Sequence, residues 1–234
     1  MPLPNNSVTR LPSGVNTESS SSIFANFPYP YDSSLITYFN PFYTYTASDW
    51  VVTETQAGAT QALTAGSGGW LLLTNSAADN DLNALQKTPA MLDLSATKQT
   101  WFTSRFKVSD ATQSDVVIGM QVVDTTPLDV TDGIYFLKPD DAATVNIICR
   151  KDASTGSTSA SAIATLVDDT FIQLDWYYDG AGYLFYAVNG TVRGSLSVAS
   201  YFPDTSTTVS FAIQNGAAAA KTMTVDWVGV WQER

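Results

Sequence analysis

The pattern of apolar and polar positions is clearest between Phe171 and Ser197, in FIQLDWYYDGAGYLFYAVNGTVRGSLS. Ile172, Leu174, Trp176 and Tyr178 alternate with Gln173, Asp175 and Tyr177, and a period of two marks a half-buried antiparallel strand. Asp179-Gly180-Ala181-Gly182 supplies a turn, and Tyr183 to Val188 returns. Asn189-Gly190 then predicts a type I′ hairpin, because both residues tolerate the positive φ this turn needs. Thr191 to Ser197 completes a three-strand meander. A meander buries only one face, so the rest of the chain must supply an opposing sheet.

The same alternation predicts strands at Trp50 to Thr55, Trp70 to Asn75, Leu82 to Lys87, Trp101 to Val108, Val116 to Asp124, Gly133 to Lys138, Val145 to Lys151, Ala160 to Val167, Thr207 to Gln214 and Met223 to Gln232. Turn residues separate them at short intervals, as in sandwiches. No helical stripe exceeds two turns, and the alanines after Asn215-Gly216 read as a loop or one helical turn. The fold class is therefore all-β, an antiparallel β-sandwich over residues 46–234.

Two N-terminal stretches differ. Residues 1–22 contain Pro2, Pro4, Pro12, a run of four serines and no aromatic residue. Such a segment cannot offset its own ordering entropy. It is expected to be an extended arm lying across an adjacent subunit, with Leu3, Val8, Leu11 and Val15 as apolar pegs. Residues 23–45 carry Phe24, Phe27, Tyr29, Tyr31, Tyr38, Phe39, Phe42, Tyr43 and Tyr45 among three prolines. Pro28, Pro30 and Pro41 argue against a regular central strand. The rings suit either a contact surface or closure of one end of the core. Phe24, Phe27, Tyr29 and Tyr31 are expected to anchor the base of the arm.

Composition narrows the function. The 234 residues carry a net charge of −11, which disfavours nucleic acid. Charged residues make up only 14 %, against 44 % hydrophobic. Of 22 acidic residues only Glu18, Glu54 and Glu233 are glutamate, and the excess of aspartate suits turns rather than helices. The absence of histidine removes His-dependent nucleophilic catalysis and His-ligated zinc. Cys149 is the single cysteine and sits in an apolar run, so a buried inert thiol is expected. Neither a leader-like N-terminus nor an apolar run of about 18 residues occurs, so a cytoplasmic product released by lysis is expected, without membrane attachment.

The closing stretch MTVDWVGVWQ resembles the last strand of concanavalin A-like jelly rolls, and FIQLDWYYDGAGYLFYAVNGTVRGS is similar to their central meander. The resemblance implies two large stacked antiparallel sheets, one of them concave. It does not fix function, since this fold hosts lectins, glycosidases and structural modules. The beta-glucanase-like branch carries E-x-D-x-x-E on one strand, with all three carboxylates on one face. No such motif occurs here. Asp175 and Asp226 fall in strands and each is read as alone on its strand. Hydrolysis is not expected, and no cofactor is expected.

Asp79-Asn80-Asp81-Leu82-Asn83 and Asp129-Val130-Thr131-Asp132 offer oxygen ligands, but neither has EF-hand spacing and no metal is assigned. Trp50, Trp70, Trp101, Trp176, Trp227 and Trp231 could stack on a sugar if exposed, though core packing is the default for most. An acidic, histidine-free sandwich with an arm and no catalytic set resembles bacteriophage head decoration or cement proteins. That resemblance implies a virion protein bound to the major capsid protein, as a homo-oligomer with a trimer favoured. A lectin-like carbohydrate-binding module, on a phage tail or fibre, is the alternative.

Overall fold

The computed structural model describes residues 35–153 and 157–234. Strands form in the order β1 (Leu35–Asn40), β2 (Trp50–Glu54), β3 (Thr60–Thr64), β4 (Trp70–Thr74), β5 (Leu82–Lys87), β6 (Leu92–Asp93), β7 (Gln99–Val108), β8 (Ser114–Gln121), β9 (Gly133–Lys138), β10 (Thr144–Arg150), β11 (Ser157–Thr165), β12 (Ile172–Asp179), β13 (Tyr183–Val188), β14 (Thr191–Ser197), β15 (Ser206–Asn215) and β16 (Thr222–Glu233). The expected strands appear, with ends shifted by a few residues. Residues after Asn215 form a bend, not a helical turn.

These strands build two eight-stranded sheets. The front sheet runs β14-β13-β12-β7-β16-β4-β3, with β1 also on β16. The back sheet runs β11-β10-β9-β8-β15-β5-β2, with β6 on β15. All pairings are antiparallel, giving the jelly-roll sandwich. The core between the sheets includes Leu71, Leu73, Phe102, Phe106, Phe136, Leu174, Trp176 and Phe211. A second cluster, including Val117, Val130, Tyr135 and Ala212, sits outside the back sheet. Gln86 and Gln121 pin the segment that covers it, by donating to the carbonyls of Val122 and Pro127 at 3.0 and 2.9 Å.

The meander is β12, β13 and β14. Asn189 and Gly190 take φ of 49° and 75°, as a type I′ turn requires. Asn189 also fixes the hairpin to β12, its Oδ1 accepting from Gln173 N at 2.9 Å.

Three strands were not expected from the sequence: β1, β3 and the two-residue β6. β1 lies between Pro30 and Pro41 and pairs with β16 over its whole length. The prolines flank the strand, so no ladder bond is lost. Phe42 is fully buried against Trp50 and Phe211, with ring centroids 6.3 and 6.0 Å away. The sandwich therefore takes in residues 35–45, ahead of the expected boundary at 46. Among the aromatic residues there, Phe42 is core, Tyr38 and Tyr45 pack on the core, and Phe39 and Tyr43 are exposed. β3 also escaped, because TQALT has too little apolar content to stand out. Leu3, Val8, Leu11, Val15, Phe24, Phe27, Tyr29 and Tyr31 lie outside the described residues, as does the arm of residues 1–22.

Candidate functional site

The outer face of the front sheet holds the chemistry. On β7, Phe102, Ser104, Phe106 and Val108 point to the core side, so Trp101, Thr103, Arg105 and Lys107 point outward. Register carries one row across four strands: Trp231 pairs with Trp101, Trp101 with Tyr177, and Tyr177 with Phe185. The Trp101 and Tyr177 rings stack at 5.2 Å, and the Tyr177 and Phe185 rings at 5.9 Å. Phe39 of β1 stacks on Trp231 at 6.3 Å. Leu35 and Trp101 are buried, with Tyr177 and Trp231 packed against them.

The next row centres on Asp175. It pairs with Thr103 on β7, which in turn faces Gly229 on β16. Thr103 Oγ1 donates to Asp175 Oδ1 at 2.5 Å, and Gln173 Nε2 donates to the same oxygen at 2.9 Å. Asp175 is 0 % exposed. Both donors meet the same carboxylate oxygen, Thr103 from β7 and Gln173 from β12 itself.

The third row holds Arg105. A register shift between Val225 and Trp227 makes Asp226 the extra residue of a bulge, with Trp227 opposite Arg105. Arg105 forms an ion pair with Asp226. Its guanidinium also lies 4.3 Å from the centroid of the Phe171 ring and 5.3 Å from that of Trp227. Lys107, one step further, lies 5.4 Å from Phe171 and 5.8 Å from Trp70.

The carboxylates are less isolated in the strands than expected. β12 extends to Asp179, so Asp175 shares its strand and face with a second acid. Asp179 is committed to the turn, accepting from Ala181 N and Tyr183 N at 2.7 and 3.0 Å. β16 likewise carries Glu233 as well as Asp226. Glu233 Oε2 accepts from Gln99 N at 2.9 Å. Burial raises the pKa of Tyr177, which lies near Asp179 and Glu233, and both charges add to the shift. All four carboxylates thus accept hydrogen bonds or an ion pair inside the fold.

The tryptophans divide by strand parity. Trp50 and Trp176 are core, while Trp70, Trp101, Trp227 and Trp231 belong to the outer face. Core packing is therefore not the rule for most of them. The parity of β7 and β16 carried that signal, because Phe102 and Val230 mark the core side.

The two Asp-rich stretches serve the fold. Asp81 accepts from Ser76 N at 2.6 Å and from Thr55 Oγ1 at 3.2 Å. Asp129 pairs with Arg150 at 2.5 Å. Asp132 instead meets Asp152 and Asp204, the three offering ligand oxygens within 4.8 Å of one another. Lys151 already pairs with Asp204 at 2.5 Å. Burial pushes the Cys149 thiol well up, which keeps it protonated and unreactive.

No family model matches the chain, and no curated protein matches it. Solved structures do. The chain is similar to an endo-1,3-beta-glucanase from Streptomyces sioyaensis at 11 % identity, with a TM-score of 0.63 over 88 % of this chain and 99 % of that one. It is similar to peanut lectin at 14 % identity and a TM-score of 0.57, covering 86 % and 98 %. A beta-glucanase of Bacillus licheniformis aligns at 11 % identity and 0.57, covering 83 % and 97 %. The chain thus has a concanavalin A-like jelly-roll fold. At these identities the likeness concerns the fold.

Proposed function

We propose that the chain is a non-enzymatic structural protein, a bacteriophage capsid decoration or cement protein that binds the major capsid protein lattice and stabilises the head. One observation carries the non-catalytic part of this reading. The centre of the front sheet is closed to solvent: Asp175 and Ala187 are 0 % exposed, Trp101 5 % and Thr103 6 %. A polysaccharide cannot lie against Asp175 there, and Asp226 is neutralised by Arg105. General acid–base work needs a carboxyl within hydrogen-bond reach of the substrate.

The attachment part rests on the β1 side. Phe39 is 51 % exposed and Tyr43 is 72 % exposed, while Phe42 between them is clamped in the core. Rigidly held exposed rings suit protein contact. Lattice attachment multiplies weak contacts through effective concentration, so a small footprint suffices. In this reading the protein is made in a host cytoplasm, sits on the capsid surface as a homo-oligomer, and uses Leu3, Val8, Leu11, Val15, Phe24, Phe27, Tyr29 and Tyr31 against its partners. The test is stoichiometry: the protein should co-sediment with intact particles in many copies. Its absence from purified particles overturns the reading.

A second reading is a lectin-like glycan-binding module on a tail or fibre. The exposed Tyr183 ring, 52 % exposed beside Asp179, favours it, as does the likeness to peanut lectin. A glycan array distinguishes the two: saturable binding lost in Tyr183→Ala supports the second.

A further inference from the structure

β1 and β6 lie off the two sheet orders, on β16 and β15; of the four strands that end those orders, three carry features that discourage further pairing. β14 bears Arg193, and its ladder to β13 slips between Tyr186 and Ala187. β11 is bulged against β10 between Val145 and Ile147. β2 ends in Glu54. Charges and bulges are the usual devices that keep an edge from accepting another strand. β3 has none: Thr60-Gln61-Ala62-Leu63-Thr64 contains no charge, proline or bulge, and among the described residues it pairs only with β4.

The flank beside β3 is also apolar and open. Leu63 faces the core side, because it is directly opposite the buried Leu71, yet it is 44 % exposed. Val52 of β2 is opposite the buried Leu85 and is 36 % exposed. The two edges belong to one flank, since Gln61 Nε2 donates to Glu54 Oε1 at 2.6 Å and to Asn83 Oδ1 at 2.8 Å. Gln61 closes the flank at its Glu54 end, and Leu63 and Val52 stay uncovered beside it. A further strand on β3 would complete the ladder and put alternate side chains beside Leu63 and Val52.

We infer that the β3 edge accepts the N-terminal segment of a second copy of this chain, residues 5–11. This deepens the attachment reading above and rests on it for the arm's role. Asn5 to Leu11 is the stretch between Pro4 and Pro12 that can donate every backbone N–H. Its seven residues span about 23 Å when extended, enough to cover the five of β3 at about 17 Å. Val8 supplies an apolar side chain for the gap beside Leu63 and Val52, while Leu11, three residues on, points to the opposite face of the added strand. Arg10, the one basic residue among residues 1–34, complements Glu54 at the end of β2. Residues 12–34 reach about 75 Å at most between this segment and β1, enough to cross to a neighbour. Reciprocal exchange of arms closes as a two-fold dimer, and one-way exchange closes as a ring such as a trimer.

Sedimentation velocity on full-length chains tests this. Wild type should sediment as an oligomer of the 25.2 kDa chain. The edge variant Leu63→Lys and the arm variant Val8→Asp/Leu11→Asp should each sediment as monomers. Mixed one to one, they should form a heterodimer, because one supplies an intact arm and the other an intact edge. A labelled peptide of residues 1–22 should bind the arm variant, which keeps the test valid if Leu63→Lys fails to fold. A monomeric wild type overturns the inference, as do variants that stay oligomeric, a mixture that stays monomeric or a peptide that does not bind. Particle co-sedimentation is scored separately: loss of particle binding by wild type sinks the decoration reading without touching arm exchange.

Discussion

Thr103 and Asp175 face each other across the β7–β12 ladder, and the threonine hydroxyl donates to the carboxylate at 2.5 Å. Gln173 donates to the same oxygen. A carboxylate held this way, at 0 % exposure, is a structural acceptor.

Asp175→Asn should then leave function unchanged in kind and cost stability. Replacement by alanine strands the Thr103 and Gln173 donors, a loss of about 1–3 kcal/mol for buried partners. Denaturant unfolding reads this directly. No turnover of β-glucans is expected from wild type. Hydrolysis that vanishes in Asp175→Asn or Asp226→Asn would show the carboxylates to be catalytic after all.

Gly190 should be sensitive for backbone reasons alone. Its φ is +75°, and an added Cβ would meet nothing within 4 Å. Gly190→Val therefore introduces no clash, only a strained conformation for a β-branched residue. The expected loss is about 1 kcal/mol or more. A neutral result in chemical denaturation would place the hairpin elsewhere.

The sequence made the meander legible because both signals there are local: a period of two and an Asn-Gly turn. β1 was obscured by prolines that turn out to flank it, and β3 by its weak composition. The expectation of core packing for most tryptophans failed, although the parity of Trp101 against Phe102 and of Trp231 against Val230 was present in the sequence. Parity did not tell that Leu35 would reach Trp101, since that contact depends on β1 pairing with β16, nearly 200 residues away in the chain. Asp226 is not alone on its strand as expected, and the bulge that carries it leaves no mark in the local pattern. The ladder puts Trp227 opposite Arg105, and the ion pair to Asp226 arises from the bulge beside it.

Acid should weaken the fold at one identified pair. Lys221 Nζ donates to Asp110 Oδ2 at 2.6 Å, and Thr112 N and Gln113 N donate to Oδ1. The lysine, with help from these amides, holds the Asp110 carboxyl down to about 2. A pKa lowered in the fold stabilises above the unfolded value and loses that contribution as pH falls through the folded one. The loss should fall between about pH 4 and pH 2 and, screened by solvent, amount to about 1 kcal/mol. In Lys221→Met the slope of stability with pH across that window should flatten. An unchanged slope would mean the pair does not carry it.

Phe42 and Tyr43 separate packing from attachment. Phe42 is fully buried, close to Trp50 and Phe211, and the backbone beside it is tight: a Cβ on Gly69 would come within 2.4 Å of the Phe42 carbonyl oxygen. Phe42→Ala should cost about 3–5 kcal/mol, as large-to-small changes of buried aromatics do. Tyr43 is 72 % exposed, so Tyr43→Ala should change stability by no more than about 0.5 kcal/mol. If the β1 side contacts the capsid, Tyr43→Ala and Phe39→Ala should nonetheless lower occupancy on particles, because exposed aromatics at a contact lose binding on truncation. Wild-type occupancy in both, with the fold intact, would move the contact surface away from this side.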